Sequence, residues 1–184
     1  MIEILRYKFW YLWIMDKQLL STFIKKLETS KKIVIIPHKN PDGDALGSCL
    51  ALHFFLVKTG HSADVISPNE YPEFLNWMPG QENIIIYSTA NEKTVELIEK
   101  AEIIFTLDYN QLNRIGNLEP IVASSKAQKI MIDHHENPGE YADVTYSDAS
   151  IGSTCEMVFP GSQVIRMAGL PVFPGSQVTE MAGF

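Results

Sequence analysis

An α/β domain, with a mostly parallel sheet flanked by helices on both faces, is the fold class this sequence predicts. Two observations predict it. The runs IVIIP, ADVIS, NIIIYS, IIFTLD and KIMID are short and largely apolar, as strands buried on both faces require. Segments with helical spacing fall between several of them, which is the pattern of strands joined by crossover helices. A third observation concerns where the runs stop. IVIIP runs into His38, IIFTL into Asp108, and IMI into Asp133, His134 and His135. Right-handed crossovers bring the carboxyl ends of parallel strands to one edge, where open α/β sheets bind ligands.

The elements follow in order. From Asp16, the residues Leu19, Leu20, Phe23, Ile24 and Leu27 recur at helical spacing, with Lys25 and Lys26 facing elsewhere and Asp16 placed to cap. IVIIP is a buried strand. After the HKNPDGD turn, a helix from about Ala45 to Lys58 stops at Gly60. ADVIS and NIIIYS read as strands, VELIEKA as a helix, and IIFTLD and KIMID as further strands. Tyr71, Phe74 and Trp77 are expected to pack a short helix over the sheet edge. Ser153-Thr154-Cys155-Glu156 is a capping-box pattern that opens a helix, and Pro160-Gly161 arrives after barely one turn.

From Met157 the chain repeats itself, as MVFPGSQVIRMAGL and then PVFPGSQVTEMAGF. Two copies are too few for a self-supporting array, which needs about three. At the other end, the aromatic stretch IEILRYKFWYLWIM is shorter than the ~20 apolar residues that cross a bilayer, and no small-residue cleavage site follows it. The expected organisation is an N-terminal extension over 1–15, one domain over 16–157 and an atypical repetitive tail over 158–184.

Composition narrows the function classes. A hydrophobic fraction of 46% in 184 residues is enough to bury a core. The formal net charge of -7 opposes broad attraction to long nucleic acids or anionic membranes. Cys49 and Cys155 form neither a disulfide framework nor a thiolate metal motif, so a reducing, cytoplasmic setting is expected.

The chemistry lies in the strand-end residues. His38, Asp42 and Asp44 form an H-x3-D-x-D cluster on a turn shaped by Pro41 and Gly43. Asn-Pro-Asp-Gly is also an ordinary turn, and either Asp could simply cap the next helix. Asp108 alone admits the same reading. Two adjacent imidazoles, His134 and His135, have no packing role after a buried strand. Three strand ends carrying oxygen and nitrogen donors together point to a metal centre. Carboxylates and imidazoles without thiolate favour Mn²⁺ or Mg²⁺, with Zn²⁺, Fe²⁺ and Co²⁺ compatible. Several carboxylates permit two ions about 3.5–4 Å apart, a pairing suited to phosphoryl transfer, with Asp108 the natural bridge. Arg114 lies six residues after Asp108, within reach of a phosphate, although an ordinary surface role fits it too. His53 and His61 read as structural or solvated.

HKNPDGDALGS, Asp108 in FTLDYN, and Asp133-His134-His135 together resemble the DHH phosphoesterase superfamily, over about Leu19 to Met157. Within it the likeness is to the nanoRNase and phosphoadenosine-phosphate phosphatase branch. The resemblance implies two manganese-type ions, with Mg²⁺ or Co²⁺ as substitutes. It also implies hydrolysis of short oligoribonucleotides or of the 3′-phosphate of phosphoadenosine phosphate. It assigns His38 and Asp42 to the first ion, Asp44 and His134 to the second, and Asp108 to both. By the same likeness His135 contacts the scissile phosphate, Asp133 orients the histidines, and Ser153, Thr154 and Glu156 match a structural helix start. The family also supplies a fourth-motif Asp and a second, substrate-clamping domain. Neither appears after Met157, so a C-terminally truncated unit of reduced or absent activity is expected. Two alternatives stay open: a manganese-dependent inorganic pyrophosphatase, and a non-enzymatic remnant that binds metal or nucleotide.

Overall fold

The computed structural model describes residues 25–29, 31–88 and 90–158. The N-terminal extension, most of the helix expected from Asp16, and the repetitive tail beyond Val158 lie outside them. Strands β1 (Lys32–Pro37), β2 (Ser62–Ser67), β3 (Ile85–Ile86), β4 (Ile103–Leu107), β5 (Gln128–Asp133) and β6 (Val144–Ser147) form one sheet. Their order is β3-β2-β1-β4-β5-β6, and every pairing is parallel. Helices α1 (Gly43–Lys58), α2 (Asn91–Lys100) and α3 (Glu119–Ser124) connect them.

Alternation along the strands builds two cores. On β1, Ile33 and Ile35 face one side, with Cys49, Leu52 and Leu56 of α1 and with Met157. Val34 and Ile36 face the other, with Ile98 of α2 and Val122 of α3. A strand enclosed on both faces can carry apolar residues at every position, which is why IVIIP lacks a polar alternate. Each fully buried Ile or Leu contributes roughly 1.5–3 kcal/mol, so the sheet is held by its own middle.

The order of strands positions the site. Chain direction across the sheet reverses between β1, whose successor lies on one side, and β4, on the other. This is a topological switch point, where a crevice opens at the carboxyl ends. Register sharpens the placement: Pro37 pairs with Leu107, and Leu107 with Ile132. The next residues, His38, Asp108 and Asp133, therefore leave three neighbouring strands at the same level, with strands about 4.8 Å apart.

Several local expectations change. The long helix starts at Gly43, two residues earlier than expected, because Asp42 is its N-cap: Asp42 Oδ1 accepts from the N–H groups of Asp44 (3.0 Å) and Ala45 (3.1 Å). It ends at Lys58, with Gly60 left-handed at φ 91°. NIIIYS contributes only the two-residue edge strand β3. Strand β6 and helix α3 were not anticipated; each is short, and β6 alternates buried and exposed positions over only four residues. Phe74 and Trp77 do not cover the sheet edge, since both are 73% exposed. The turn there is a three-residue 3-10 helix, Glu73–Leu75, with Leu75 its one buried residue. Leu75 and Met78 lie over Gly43, leaving the two aromatic rings outside.

Candidate metal centre

The site begins with backbone geometry. Asp108 leaves β4 in the left-handed region, φ 66°, which costs a non-glycine residue about 1 kcal/mol or more. Its N–H still bonds Ile132 O at 3.1 Å, so the chain turns immediately after pairing. The carboxylate is thereby buried (2% exposed), with His38 and His134 on its two oxygens' sides. Asn40, two residues beyond His38, is also left-handed, and Asn69 Oδ1 accepts its N–H at 2.8 Å. Past that corner, an Asp42 carboxylate oxygen lies within 4.8 Å of a His38 ring nitrogen.

Three imidazoles are held by the same atom. His38 Nδ1–H donates to Lys39 O (2.9 Å), His134 Nδ1–H to Ile151 O (3.3 Å), and His135 Nδ1–H to Asp133 Oδ1 (2.7 Å). Each acceptor selects the tautomer with the proton on Nδ1 and leaves the Nε2 lone pair free. His38 Nε2 lies 3.6 Å from Asp108 Oδ2. His134 Nε2 lies 3.5 Å from Asp108 Oδ1 and 3.7 Å from Asp44 Oδ2.

Those separations are wider than charge-assisted hydrogen bonds, which close to about 2.7–2.9 Å. The His135–Asp133 pair is at that closer distance; the other pairs are not. Donors about 2.1 Å from one small cation lie roughly 3–4 Å from each other, so the wider spacing fits atoms sharing an ion. Two sets of donor atoms gather within 4.8 Å of one another: His38, Asp42 and Asp108, and Asp108, His134 and His135. Asp108 belongs to both. In the second set, the His135 atom near Asp108 is Nδ1, at 3.9 Å, and Asp133 already engages it. Asp44 belongs to neither set, although its Oδ2 lies 3.7 Å from His134 Nε2, and His135 is exposed.

The capping role of Asp42 and a ligand role are compatible. Capping uses Oδ1 and leaves Oδ2 open. Burial alone would pull the His38 imidazole down, but the Asp108 carboxylate, the Lys39 carbonyl and the charge of Asp42 outweigh it and hold it above its ordinary value. Burial likewise favours a neutral Asp108. His38 and the Thr154 hydroxyl overcome that and keep it below the usual carboxylate range. Burial, then hydrogen bonding to Asp44, push the Cys155 thiol up to about 12, so it is an S–H donor and not a thiolate ligand. Its partner is Asp44 O, at 3.4 Å.

Arg114 lies beside the site through its backbone, its carbonyl accepting from Lys39 N–H at 2.8 Å. Its side chain is exposed. Gly116, φ 58°, lets that segment pass, since a Cβ there would sit 3.2 Å from Lys39 Cδ. His53 is half-buried, its ring edge-on to Phe54 at 5.3 Å, and His61 is buried at the far end of the sheet. Neither joins the cluster. The residues least visible beforehand are Thr154 and Cys155. Their N–H groups donate to Asp44 Oδ2 and Oδ1, both at 2.8 Å, and the Thr154 hydroxyl donates to Asp108 Oδ1 at 2.8 Å. The capping box signals a helix start there, and nothing local says what that start faces.

The chain is similar to known proteins in sequence and in fold. An exopolyphosphatase-related protein from Bacteroides fragilis superposes with a TM-score of 0.81 at 41% identity, over 83% of this chain and 45% of its own. The bifunctional oligoribonuclease and PAP phosphatase NrnA of Thermus thermophilus is 30% identical over 126 residues, 68% of this chain and 35% of its own length. The uncharacterized protein MG371 of Mycoplasma genitalium is 29% identical over 153 residues, 83% of this chain and 44% of that protein. The chain thus spans less than half the length of each of these relatives. The DHH family, N-terminal domain, matches residues 32–172, and with the six-stranded parallel sheet and its strand-end histidines and aspartates this chain belongs to the DHH family of phosphoesterases.

Proposed function

We propose that this chain carries the catalytic half of a divalent-metal phosphoesterase for short oligoribonucleotides or nucleoside 3′,5′-bisphosphates. The observation that carries the reading is the spacing of His38 and His134 from a shared Asp108, 3.6 and 3.5 Å, with Asp44 3.7 Å from His134. The donor set, nitrogen and oxygen without thiolate, suits Mn²⁺, with Mg²⁺ or Co²⁺ as substitutes. His38, Asp42 and Asp108 hold one ion, and Asp108, Asp44 and His134 a second. When bound, such ions acidify water and neutralise charge on phosphate.

The residues of the chain do the rest. Asp133, fully buried, fixes the exposed His135 ring through its Nδ1, which keeps that imidazole in place beside Asp108 for contact with a phosphate. Arg114, on the neighbouring segment, supplies a mobile cation for a second phosphate. The likeness to NrnA favours a nucleotide substrate. The exopolyphosphatase-related neighbour favours a second reading, hydrolysis of inorganic phosphoanhydrides such as pyrophosphate.

The test compares a diribonucleotide, phosphoadenosine phosphate and pyrophosphate as substrates with Mn²⁺ present. We expect release of product from the first two and its loss, by about a hundredfold or more, in Asp108→Asn, which removes a charge shared by both donor sets. Turnover of pyrophosphate alone selects the second reading. Mn²⁺ binding without turnover of any substrate assigns the chain a binding role only, and equal rates in the variant remove the metal centre from the mechanism.

A further inference from the structure

We propose that Thr154 is a positioning residue of the metal centre: its hydroxyl sets the Asp108 carboxylate, while the segment it belongs to clamps Asp44. The proposal rests on the metal-centre reading above and assigns that site a part outside the three strand ends.

A threonine at a helix start ordinarily turns its hydroxyl back to its own helix. Here Ser153 takes that duty, accepting from Glu156 N–H at 3.1 Å. The Thr154 hydroxyl is released and donates to Asp108 Oδ1 at 2.8 Å, across 46 residues, with Thr154 fully buried. The N–H groups of Thr154 and Cys155 reach Asp44 at 2.8 Å, across 110 and 111 residues. One short stretch thus touches the two carboxylates that flank His134.

The effect on each carboxylate differs. Asp44 has one N–H on each oxygen, which locks the plane of the group. Asp108 has its left-handed backbone and a single donor on Oδ1, while Oδ2 faces His38 Nε2. Without the hydroxyl, Asp108 loses the hydrogen bond that sets its Oδ1, and both donor sets lose the fixed position of their common member. Each carboxylate oxygen keeps a further lone pair for an ion, so the clamp and metal binding coexist. Partners of this kind, which hold a ligand without touching the ion, typically carry 10- to 100-fold in metal affinity.

Thr154→Val keeps the branched shape and deletes the donor; Thr154→Ser keeps the donor. On the full chain we expect Thr154→Val to weaken Mn²⁺ binding, measured by calorimetric titration, roughly tenfold or more, and Thr154→Ser to restore it. The Asp108 carboxyl-carbon resonance, recorded without added metal, is expected to move in the valine variant and return in the serine one. Should the valine variant not fold, Thr154→Ala takes its place and must follow the same pattern. Unchanged affinity and resonance on loss of the hydroxyl overturn the proposal, as does equal weakening by serine, which would make the methyl group the cause. If the unsubstituted chain binds no Mn²⁺, the metal-centre reading falls, and the resonance alone decides the Thr154–Asp108 contact.

Discussion

The two ends of the same strands are chemical opposites. At the amino end, backbone N–H groups emerge from the sheet, and acceptors gather to meet them. Glu102 Oε2 takes Lys32 N–H (3.0 Å), Asp143 Oδ2 takes Lys129 N–H (2.8 Å), and His61 Nδ1 takes Lys31 N–H (3.2 Å). At the carboxyl end, carbonyl groups emerge, and His38 and His134 donate to carbonyls through the same Nδ1 atom. One residue type thus serves both ends in opposite tautomers. Only at the carboxyl end does the ring turn a lone pair towards carboxylates. The comparison teaches that what a strand-end histidine's Nδ1 bonds decides which way its other nitrogen presents a lone pair.

The largest expected contrast is in the response to metal. Mn²⁺ at about a hundred times its dissociation constant stabilises a protein that binds it only when folded by roughly 2.7 kcal/mol. That gain, read as a shift of the urea midpoint, is expected in the unaltered chain and absent in Asp108→Asn. An equal gain in both would place the ion elsewhere.

A smaller contrast separates the two ends by mutation. His61→Ala leaves the half-buried Lys31 N–H without that acceptor, an expected loss of about 1 kcal/mol with Mn²⁺ affinity unchanged. A fall in Mn²⁺ affinity would mean that the ends are coupled and the contrast is false.

The smallest effect is in pH dependence, and it has opposite signs. Burial, then the charge of Lys31, hold His61 below its ordinary value of 6.5. Its contribution is therefore present above pH 6.5 and declines as pH falls through that value towards the folded pKa. His38 is held above 6.5, so its contribution is present below 6.5 and declines as pH rises through the folded value. In chelator-treated protein, stability measured from pH 5 to 8 should lose its acid-side decline in His61→Ala and its alkaline-side decline in His38→Asn. Identical profiles in the two variants would dissolve the distinction.

Much of this was legible in the chain itself. Short, unbroken, β-branched apolar runs announce strands covered on both faces, and the runs ending in His38, Asp108 and Asp133-His134-His135 mark the sheet edge where those side chains gather. Gly60 and the capping box likewise act through local backbone geometry. Phe74 and Trp77 were misread because aromatic residues carry no local statement of which way a short 3-10 turn faces.

What only the tertiary structure decided is pairing at a distance. That β1 and β4 are neighbours, that Asp108 adopts φ 66°, and that Asp44 is bonded by Thr154 and Cys155 depend on strand order and on contacts spanning up to 111 residues. The same holds for the histidine tautomers, chosen by whichever carbonyl, carboxylate or N–H the fold brings alongside. Local sequence encodes which groups can coordinate or cap. Which of them do so follows from the register of a parallel sheet, a property no single segment possesses.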